Sequence, residues 1–387
     1  MTHLLAATPM DPTLVGRDGR VILLRENGPW QLFEPRVGRH LCALCIALLC
    51  AAGCGQTTSP ATPTPSVPPA SNPLDKPLGA AGAVLGKFIG TAVQANLLGN
   101  GSYRSVVERE FGALTAEYEM KWNVIEPSRG DRTFTRGDTI VTFGTARGMV
   151  IKGHALLWHQ STPAWAEGLP ADELRAAVAL HVRETMQRYQ GRVRAWDVVN
   201  EAIADDGSGL RNTVFRRQLG DNYVAEVFRW ARAADPGALL FYNDYGAEGL
   251  STKSNQVYDL VRDLKSQGLV DGVGLQMHIS AGSRPSDANI AANMRRLADL
   301  GLLVNLSEMD VKINGVPGSD AARLEAQRNT YRDVVRLCVA EPRCDGVTFW
   351  GFTDAYTWLS GDRPLLFDAA YQPKPAYHGV LDALFGR

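Results

Sequence analysis

The chain has 387 residues, of which 45% are hydrophobic and 21% are charged, as in a globular protein of one large domain or two smaller ones. Its 40 basic and 41 acidic side chains leave a formal net charge of −1. A charge this close to zero gives no electrostatic basis for binding nucleic acid or an anionic membrane surface, so we expect no nucleic-acid partner.

Residues 1–36 show no clear amphipathic pattern and precede an apolar segment with the features of an export signal. Because a signal normally begins its chain, we interpret residues 1–36 as a doubtful N-terminal extension that arises from an over-long gene prediction, with initiation near Val37. N-terminal sequencing of the native protein tests this interpretation, and finding Met1 or Thr2 would contradict it.

Residues 37–54 are predicted to be the signal segment. Arg39 and His40 precede the run LCALCIALLCAAG, which is long enough for the apolar part of a signal and short for a membrane span. The end of this run resembles a bacterial lipoprotein processing site with Cys54 as the lipidated residue. Ala51 stands where such sites usually carry leucine, so ordinary signal-peptidase cleavage nearby stays open.

The same segment holds a group of four closely spaced cysteines. They are Cys42, Cys45, Cys50 and Cys54. A zinc site is the alternative interpretation of this group. The residues between the cysteines are almost all apolar, which favours the signal over the metal site.

Residues 55–77 are predicted to be a flexible linker. Seven of the 21 prolines of the chain lie here among threonine and serine, in QTTSPATPTPSVPPASNPLDKP. This composition cannot build a core and favours an extended, hydrated chain. We therefore expect the protein to be secreted, or tethered to the cell envelope as a lipoprotein, with the linker holding a folded domain away from the anchor.

In residues 78–387, short apolar runs alternate with amphipathic helical stretches, which predicts that this region forms a single folded domain. Eight runs are expected to be strands: 89–93, 113–118, 150–157, 194–200, 238–243, 272–278, 302–307 and 346–351. Their near-continuous apolar character is typical of strands that are buried on both faces. Between them we expect helices, among them 171–190, 252–267 and 287–300, and each of these three is followed by glycine.

Eight strands with intervening helices over about 310 residues predict an α/β fold, a single (β/α)8 TIM barrel. An open doubly wound sheet is the alternative, but no G-x-G-x-x-G turn follows the first strand. In a (β/α)8 barrel the active side chains lie at the carboxyl ends of the strands. The polar residues at those ends are therefore the candidate functional residues.

Two carboxylates occupy such positions. Glu201 follows the fourth predicted strand, and Glu308 follows the seventh. Hydrolysis of a glycosidic bond requires one protonated carboxyl and one ionised carboxylate. A single glutamate at a strand end is more often solvated or salt-bridged, so this interpretation depends on the residues around the pair.

Aromatic and polar side chains accompany the pair at the strand ends. They are His154, Trp158, Asn200, Asn243, Gln276, His278, Trp350 and Trp358. Flat aromatic faces stack on sugar rings, and amides bond sugar hydroxyls. A metal site on the histidines is the alternative, but the chain has no H-x-H pair and no H-E-x-x-H helix, so we expect no metal. Hydrolysis by two carboxyl groups requires no organic cofactor, so we expect none.

Several segments form one ordered pattern between about residues 85 and 385. They are GTAV (90–93), EMKW (119–122), GHALLWH (153–159), WDVVNE (196–201), YNDY (242–245), GVGLQMH (272–278), LSEMD (306–310) and TFWGFTDAYTWLSG (348–361). This pattern resembles the signature blocks of glycoside hydrolase family 10, whose members are mainly endo-1,4-β-xylanases. The resemblance implies hydrolysis of internal β-1,4 bonds of xylan with retention of configuration, through a covalent glycosyl-enzyme.

The resemblance also implies roles for individual residues. Glu201 matches the acid/base and Glu308 the nucleophile, while Asn200 matches the residue that bonds the substrate 2-hydroxyl. His278 matches the histidine that bonds the nucleophile, and Asp310 supports that histidine. The other substrate-binding residues implied by the same blocks are Glu117, Lys121, His154, Trp158, Tyr245, Gln276, Trp350 and Trp358. Xylan and xylo-oligosaccharides are the expected partners of a monomeric enzyme.

Three positions depart from the pattern of the family. Tyr118 follows Glu117 where asparagine is common, which leaves the specificity for the distal sugar open. The pair Gln160-Ser161 reverses the usual order, and Gly246 stands in place of asparagine. Two alternatives follow, a related β-glycanase of other specificity and a non-catalytic carbohydrate-binding barrel. The presence of both glutamates argues against the second alternative.

Cys338 and Cys344 lie close together between a predicted helix and the eighth predicted strand. In a secreted protein a small disulfide loop is favoured over two free thiols. The family often has a disulfide at this place, and we expect its role to be structural.

Overall fold

The computed structural model describes residues 77–387, together with a short antiparallel pairing of Leu14–Val15 with Val21–Ile22. The predicted signal segment with Cys54 and the linker up to residue 76 lie outside the described residues, and so does nearly all of the predicted extension. Those three interpretations therefore stay predictions. Within the part of the chain that is described, no helix combines the length and the apolar character needed to cross a lipid bilayer.

Eight parallel strands form a closed barrel. In chain order they are β1 (Phe88–Val93), β2 (Ala113–Ala116), β3 (Val150–Gly153), β4 (Ala195–Asn200), β5 (Leu239–Asp244), β6 (Gly272–Leu275), β7 (Leu303–Lys312) and β8 (Cys344–Phe349). Each strand pairs with the next one along the chain, and β8 pairs back to β1 through Val347↔Ile89 and Phe349↔Thr91. The predicted (β/α)8 barrel is confirmed.

Two of the predicted strands are interrupted before their expected ends. The third predicted strand stops at Gly153, and Leu157–Trp158 then pairs separately with β4. The sixth stops at Leu275, and His278–Ser280 pairs with β7. Met277 between them has φ 66°, a left-handed conformation that a continuous strand does not contain. These breaks turn side chains toward the mouth of the barrel.

Helices surround the barrel. Their bounds are α1 (Leu78–Val84), α2 (Gly101–Glu110), α3 (Trp122–Ile125), α4 (Thr135–Thr145), α5 (Ala164–Glu167), α6 (Ala171–Tyr189), α7 (Val214–Leu219), α8 (Tyr223–Ala234), α9 (Thr252–Ser266), α10 (Asp287–Asp299), α11 (Asp320–Ala340) and α12 (Pro375–Leu384). The three helices predicted with bounds, α6, α9 and α10, each end within one residue of the expected position.

Helix α6 shows why the sequence pattern locates these helices. Leu174, Val178, Val182 and Met186 recur at helical spacing, and all four are fully buried against the barrel. The chain leaves the helix through Gly191, whose φ of 73° is costly for any residue with a Cβ. The apolar stripe and the terminal glycine together fix this helix from local sequence alone.

Helix α1, near the start of the described residues 77–387, lies at the amino-terminal end of the barrel strands. The amide of Leu78 donates to Glu110 Oε2 at 3.4 Å. Gly79 lies so close to Gly112 that an added Cβ would be 2.5 Å from the Gly112 nitrogen. Because Gly112 directly precedes β2, α1 packs at the end of the barrel that is opposite the carboxyl ends of the strands.

A disulfide joins a helix to the last strand. Cys338 in α11 is bonded to Cys344 at the start of β8, with 5.2 Å between their Cα atoms. Both residues are buried in the hydrophobic core. The bond fixes the short turn between α11 and β8 at the point where β8 enters the barrel.

Candidate active site

Glu201 lies directly after β4, and only 5% of it is exposed. Its backbone has φ 58°, a left-handed conformation that costs a non-glycine residue about 1–2 kcal/mol. The carboxylate accepts hydrogen bonds from Trp158 Nε1 at 2.7 Å, from Gln276 Nε2 at 3.1 Å and from Asn200 Nδ2 at 3.2 Å. Backbone strain of this kind is concentrated at functional sites, where surrounding contacts hold it in place.

Glu308 lies within β7, which continues to Lys312, five residues past the predicted end of the strand. Its carboxylate accepts from Asn243 Nδ2 at 2.6 Å and lies 3.3 Å from His278 Nε2. Burial alone would raise the pKa of this carboxyl. The nearby His154, His278 and Lys121 outweigh burial and lower the pKa to about 2. Glu308 is therefore ionised throughout the neutral range.

His278 is held between two carboxylates. Its Nδ1 lies 2.8 Å from Asp310 Oδ2, and Trp358 Nε1 donates to the same oxygen at 2.9 Å. Burial opposes the charged form of the imidazole, but the charges and hydrogen bonds of Asp310 and Glu308 raise its pKa to about 10. The ring is positively charged at neutral pH and holds Glu308 in one orientation.

Asn243 connects the two glutamates. It lies opposite Asn200 in the register of β4 and β5, and its Nδ2 reaches both Glu308 Oε1 and, at 2.9 Å, Asn200 Oδ1. Ser307 Oγ donates to Asn243 Oδ1 at 2.6 Å. The sequence shows Asn243 as a polar residue at a strand end, but it does not reveal this bridging contact.

The space that Asn243 occupies depends on Gly274 in β6. A Cβ at residue 274 would lie 2.0 Å from Asn243 Oδ1 and 2.9 Å from Ser307 Oγ. Real Cβ contacts are not this short, so only glycine leaves room for the amide. Gly274 is a positioning residue that the sequence did not single out, because its contact is with a different strand.

A buried ion pair lies inside the barrel below the cleft. Lys152 Nζ is 2.8 Å from Asp197 Oδ1, and His154 Nδ1 is 3.0 Å from Asp197 Oδ2. His154 Nδ1 is also 3.8 Å from Glu308 Oε1. Asp197 thus holds the His154 ring with its Nδ1 beside the Glu308 carboxylate. Sequence reasoning assigned no role to Lys152 and Asp197, although a charged residue within each of two buried strands signals that they need a partner.

An open cleft of about 450 Å³ lies above the two glutamates. Its lining residues are Lys121, His154, Trp158, Gln160, Asn200, Glu201, Tyr245, Gln276, His278, Glu308, Lys312, Trp350 and Trp358. Lys121 Nζ lies 4.7 Å from the centre of the Trp158 ring, which places a cation within the aromatic wall. Flat rings, amides and two carboxylates around one cleft suit a sugar chain.

All but one of the predicted substrate-contacting residues line this cleft, and Asp310 lies beneath it. The exception is Glu117, which is buried and accepts from Gln94 Nε2 at 3.1 Å. Tyr118 follows it and is 38% exposed, and Lys121 Nζ lies 4.9 Å from the centre of the Tyr118 ring. Lys121 thus lies between the wall of the cleft and an exposed aromatic ring beyond it.

A second polar network supports the side of the cleft at Tyr245. Arg211 Nη2 lies 2.7 Å from Asp205 Oδ1, and the Tyr245 hydroxyl donates to the same carboxylate. Lys253 Nζ lies 3.7 Å from the centre of the Tyr245 ring and 2.9 Å from Asp244 Oδ1. The hydrogen bond from Arg211 holds the pKa of Asp205 well below its usual range. These contacts fix the orientation of Tyr245.

The sequence profile of Glycosyl hydrolase family 10 matches residues 79–383, which is most of the chain. The chain belongs to glycosyl hydrolase family 10. It is therefore a glycoside hydrolase, and the family predicted from the sequence is confirmed. The match covers every strand of the barrel.

Individual relatives agree with the assignment to family 10. The endo-1,4-beta-xylanase B of Thermotoga neapolitana is 37% identical over 292 residues, which are 73% of this chain and 83% of that protein. An endo-1,4-beta-xylanase of Agaricus bisporus is 37% identical over 306 residues, 76% of this chain and 90% of that protein.

The fold of this family 10 enzyme is also similar to solved structures. Xylanase 10B from Thermotoga petrophila RKU-1 in complex with xylobiose superposes with a TM-score of 0.78 at 36% identity. The match covers 81% of this chain and 98% of that chain. The barrel described above is thus shared over nearly the whole of that xylanase.

Proposed function

We propose that this family 10 enzyme is an endo-1,4-β-xylanase that cleaves internal bonds of xylan with retention of the anomeric configuration. The observation that carries the proposal is the pair Glu201 and Glu308, which share one cleft but have different partners. Glu308 lies beside a positively charged imidazole and an amide donor. Within residues 77–387, the donors to the Glu201 carboxylate are all neutral, Trp158 among them.

In the first step Glu201, in its protonated form, donates its proton to the glycosidic oxygen. Glu308 attacks the anomeric carbon, so that a bond forms to the carboxylate oxygen as the bond to the leaving sugar breaks. The pKa of about 2 ensures that Glu308 is ionised before attack. The product of this step is a covalent glycosyl-enzyme, with Glu201 now ionised.

In the second step Glu201 takes a proton from water, and the water oxygen attacks the same anomeric carbon. The bond to Glu308 breaks, and the sugar is released with its original configuration after two inversions. His278 and Asn243 hold the Glu308 carboxylate in place through both steps, and Asn200 lies beside Glu201 for contact with the sugar ring.

The substrate class follows from the cleft and the relatives. Trp158, Trp350 and Trp358 offer ring faces for pyranose stacking, and neutral amides and charged donors are available for hydroxyl groups. Relatives at 37% identity are endo-1,4-β-xylanases. Xylan and its oligosaccharides are therefore the proposed substrates.

Proton NMR of the first product released from xylan tests the proposal. The β-anomer should appear first and the α-anomer only later, through mutarotation. An α-anomer that appears first would contradict retention, and equal rates on xylan and soluble cellulose would contradict the substrate. Glu308→Ala should abolish hydrolysis, whereas Glu201→Ala should retain activity mainly on aryl glycosides with good leaving groups.

We also propose that the enzyme acts outside the cell, either free or tethered to the envelope. The predicted signal segment (37–54) supports export, and the disulfide between Cys338 and Cys344 suits an oxidising compartment. Labelling of cells with radioactive palmitate separates the two forms. A labelled protein whose label is lost in Cys54→Ala is tethered, and an unlabelled protein in the medium is free.

A further inference from the structure

Lys312 lies at the rim of the cleft, at the end of the strand that carries Glu308. Side chains on one face of a strand recur every second residue, so Glu308, Asp310 and Lys312 share a face of β7. Lys312 is opposite Ser280 in the strand register and lines the cleft with Trp358, which is 53% exposed. Four residues of strand place it about 13 Å along β7 from the nucleophile.

The ammonium group of Lys312 has no partner within the described residues. Residues 77–387 contain seven lysines: Lys87, Lys121, Lys152, Lys253, Lys265, Lys312 and Lys374. Six of them donate to a backbone carbonyl, pair with a carboxylate or face an aromatic ring. Lys312 does none of these, although it is partly buried.

A xylan backbone carries no charge and gives this ammonium group nothing to neutralise. The other cations near the cleft are already engaged, since Lys121 faces Trp158 and His278 lies between Asp310 and Glu308. A positive charge at a partly buried position attracts an anion more strongly than one in open solvent. The anion that xylan can present is the carboxylate of a uronic acid branch.

We propose that Lys312 binds the carboxylate of a uronic acid branch, so that the enzyme prefers glucuronoxylan to neutral xylan. This inference rests on the proposed xylanase function. The position of Lys312 at the rim of the cleft fits a branch. A branch is attached to the side of the xylan chain, so its carboxylate lies away from the residues around the reacting bond. Lys312 would act on specificity and not on bond cleavage itself.

The test compares one glucuronoxylan with the same polymer after chemical reduction of its carboxyl groups. At low salt, kcat/KM of the native enzyme should be about two- to five-fold higher on the acidic polymer, as for one solvent-accessible ion pair. The ratio should approach one in 0.5 M NaCl, because salt screens an accessible pair. Lys312→Met should bring the ratio near one at low salt, and Lys312→Arg should preserve it.

Lys265→Met is the matched control, since it removes one positive charge from α9 outside the cleft, where the amine donates to Gly301 O at 3.1 Å. It should leave both the ratio and the basal activity unchanged. A native ratio of one, or a Lys312→Met ratio equal to the native ratio, overturns the inference alone. Hydrolysis of neither polymer by the native enzyme overturns the proposed function as well. If Lys312→Met does not fold, Lys312→Arg and the salt series decide.

Discussion

The side-chain amide of Asn243 fits between Ser307 and Glu308 because residue 274 in β6 is a glycine, which has no side chain. The carbonyl of that amide accepts from Ser307, and its NH2 group donates to the carboxylate of Glu308, the proposed nucleophile. An added Cβ would be 2.0 Å from the amide oxygen. A residue with no functional group of its own thus determines the position of the Glu308 carboxylate.

We therefore predict that Gly274→Ala lowers kcat on xylan by about 10- to 100-fold, because displacement of a positioned group by about 1 Å costs that much. Overpacking should also lower the free energy of unfolding by about 1–3 kcal/mol. Steady-state kinetics and thermal denaturation measure both. The matched control is Gly101→Ala, where no atom lies within 4 Å of the new Cβ. Equal kcat in the two variants would contradict the positioning role.

His278 predicts how stability depends on alkaline pH. The folded protein holds its proton up to a pKa of about 10, whereas an unfolded histidine loses it at about 6.5. The stabilisation is fully present below pH 6.5 and is lost as the pH rises toward 10. The charges opposite His278 are Asp310 and Glu308 on β7, and Glu248 also lies within its field.

We expect the melting temperature of the native enzyme to fall between pH 7 and pH 10, and to fall less steeply in His278→Gln. Differential scanning calorimetry across this range measures the two slopes. The acid side is different, because the stabilisation from the low pKa of Glu308 is fully present above about pH 4.5 and is lost as the pH falls toward 2. Parallel alkaline slopes in the two proteins would show that His278 does not carry the effect.

The sequence predicted the two glutamates because each follows a buried strand, and strand ends meet at the mouth of a barrel. It did not predict the roles of Asn243, Gly274 or Asp197. Those roles depend on which residues face each other on neighbouring strands, and local periodicity does not specify register. Tyr118 was predicted in part. The sequence shows that it departs from the family pattern, but only the structure shows that its side chain is exposed.

At the scale of elements, the eight strands and three bounded helices follow the sequence pattern, and β7 is the main exception. Its apolar run ends at Ser307, but pairing continues to Lys312. Asp310 in the extension is fully buried, and His278 and Trp358 bond its carboxylate. A polar residue does not mark the end of a strand where distant segments supply its partners, as they do for Asp310.

The disulfide gives a prediction for the junction of α11 and β8. Reduction, or the double substitution Cys338→Ala and Cys344→Ala, should lower the free energy of unfolding by about 2 kcal/mol, the entropy expected of so small a loop. Activity at 25 °C should not change, because the bond lies in the core and not at the cleft. Urea denaturation measures the difference. Loss of activity without loss of stability would contradict a purely structural role.

At the scale of the whole molecule, the pairing of β8 with β1 closes the barrel within residues 77–387. Among the described residues, the hydrophobic core extends from Leu78 to Leu384. We predict that a variant that begins at residue 77 folds and retains the kcat/KM of the full chain on soluble xylan. Circular dichroism and kinetics measure this, and an insoluble or inactive variant would contradict it.

The position of Leu78 and Gly79 against Gly112 has a practical consequence. The amino terminus of the barrel and its cleft lie at opposite ends of the strands. A resin coupled through residues before 77 would therefore hold the enzyme with its cleft facing the bulk solution. Long polymer chains could then reach the cleft without meeting the support, whereas coupling through Lys312, which lines the cleft with Trp358, would block their passage.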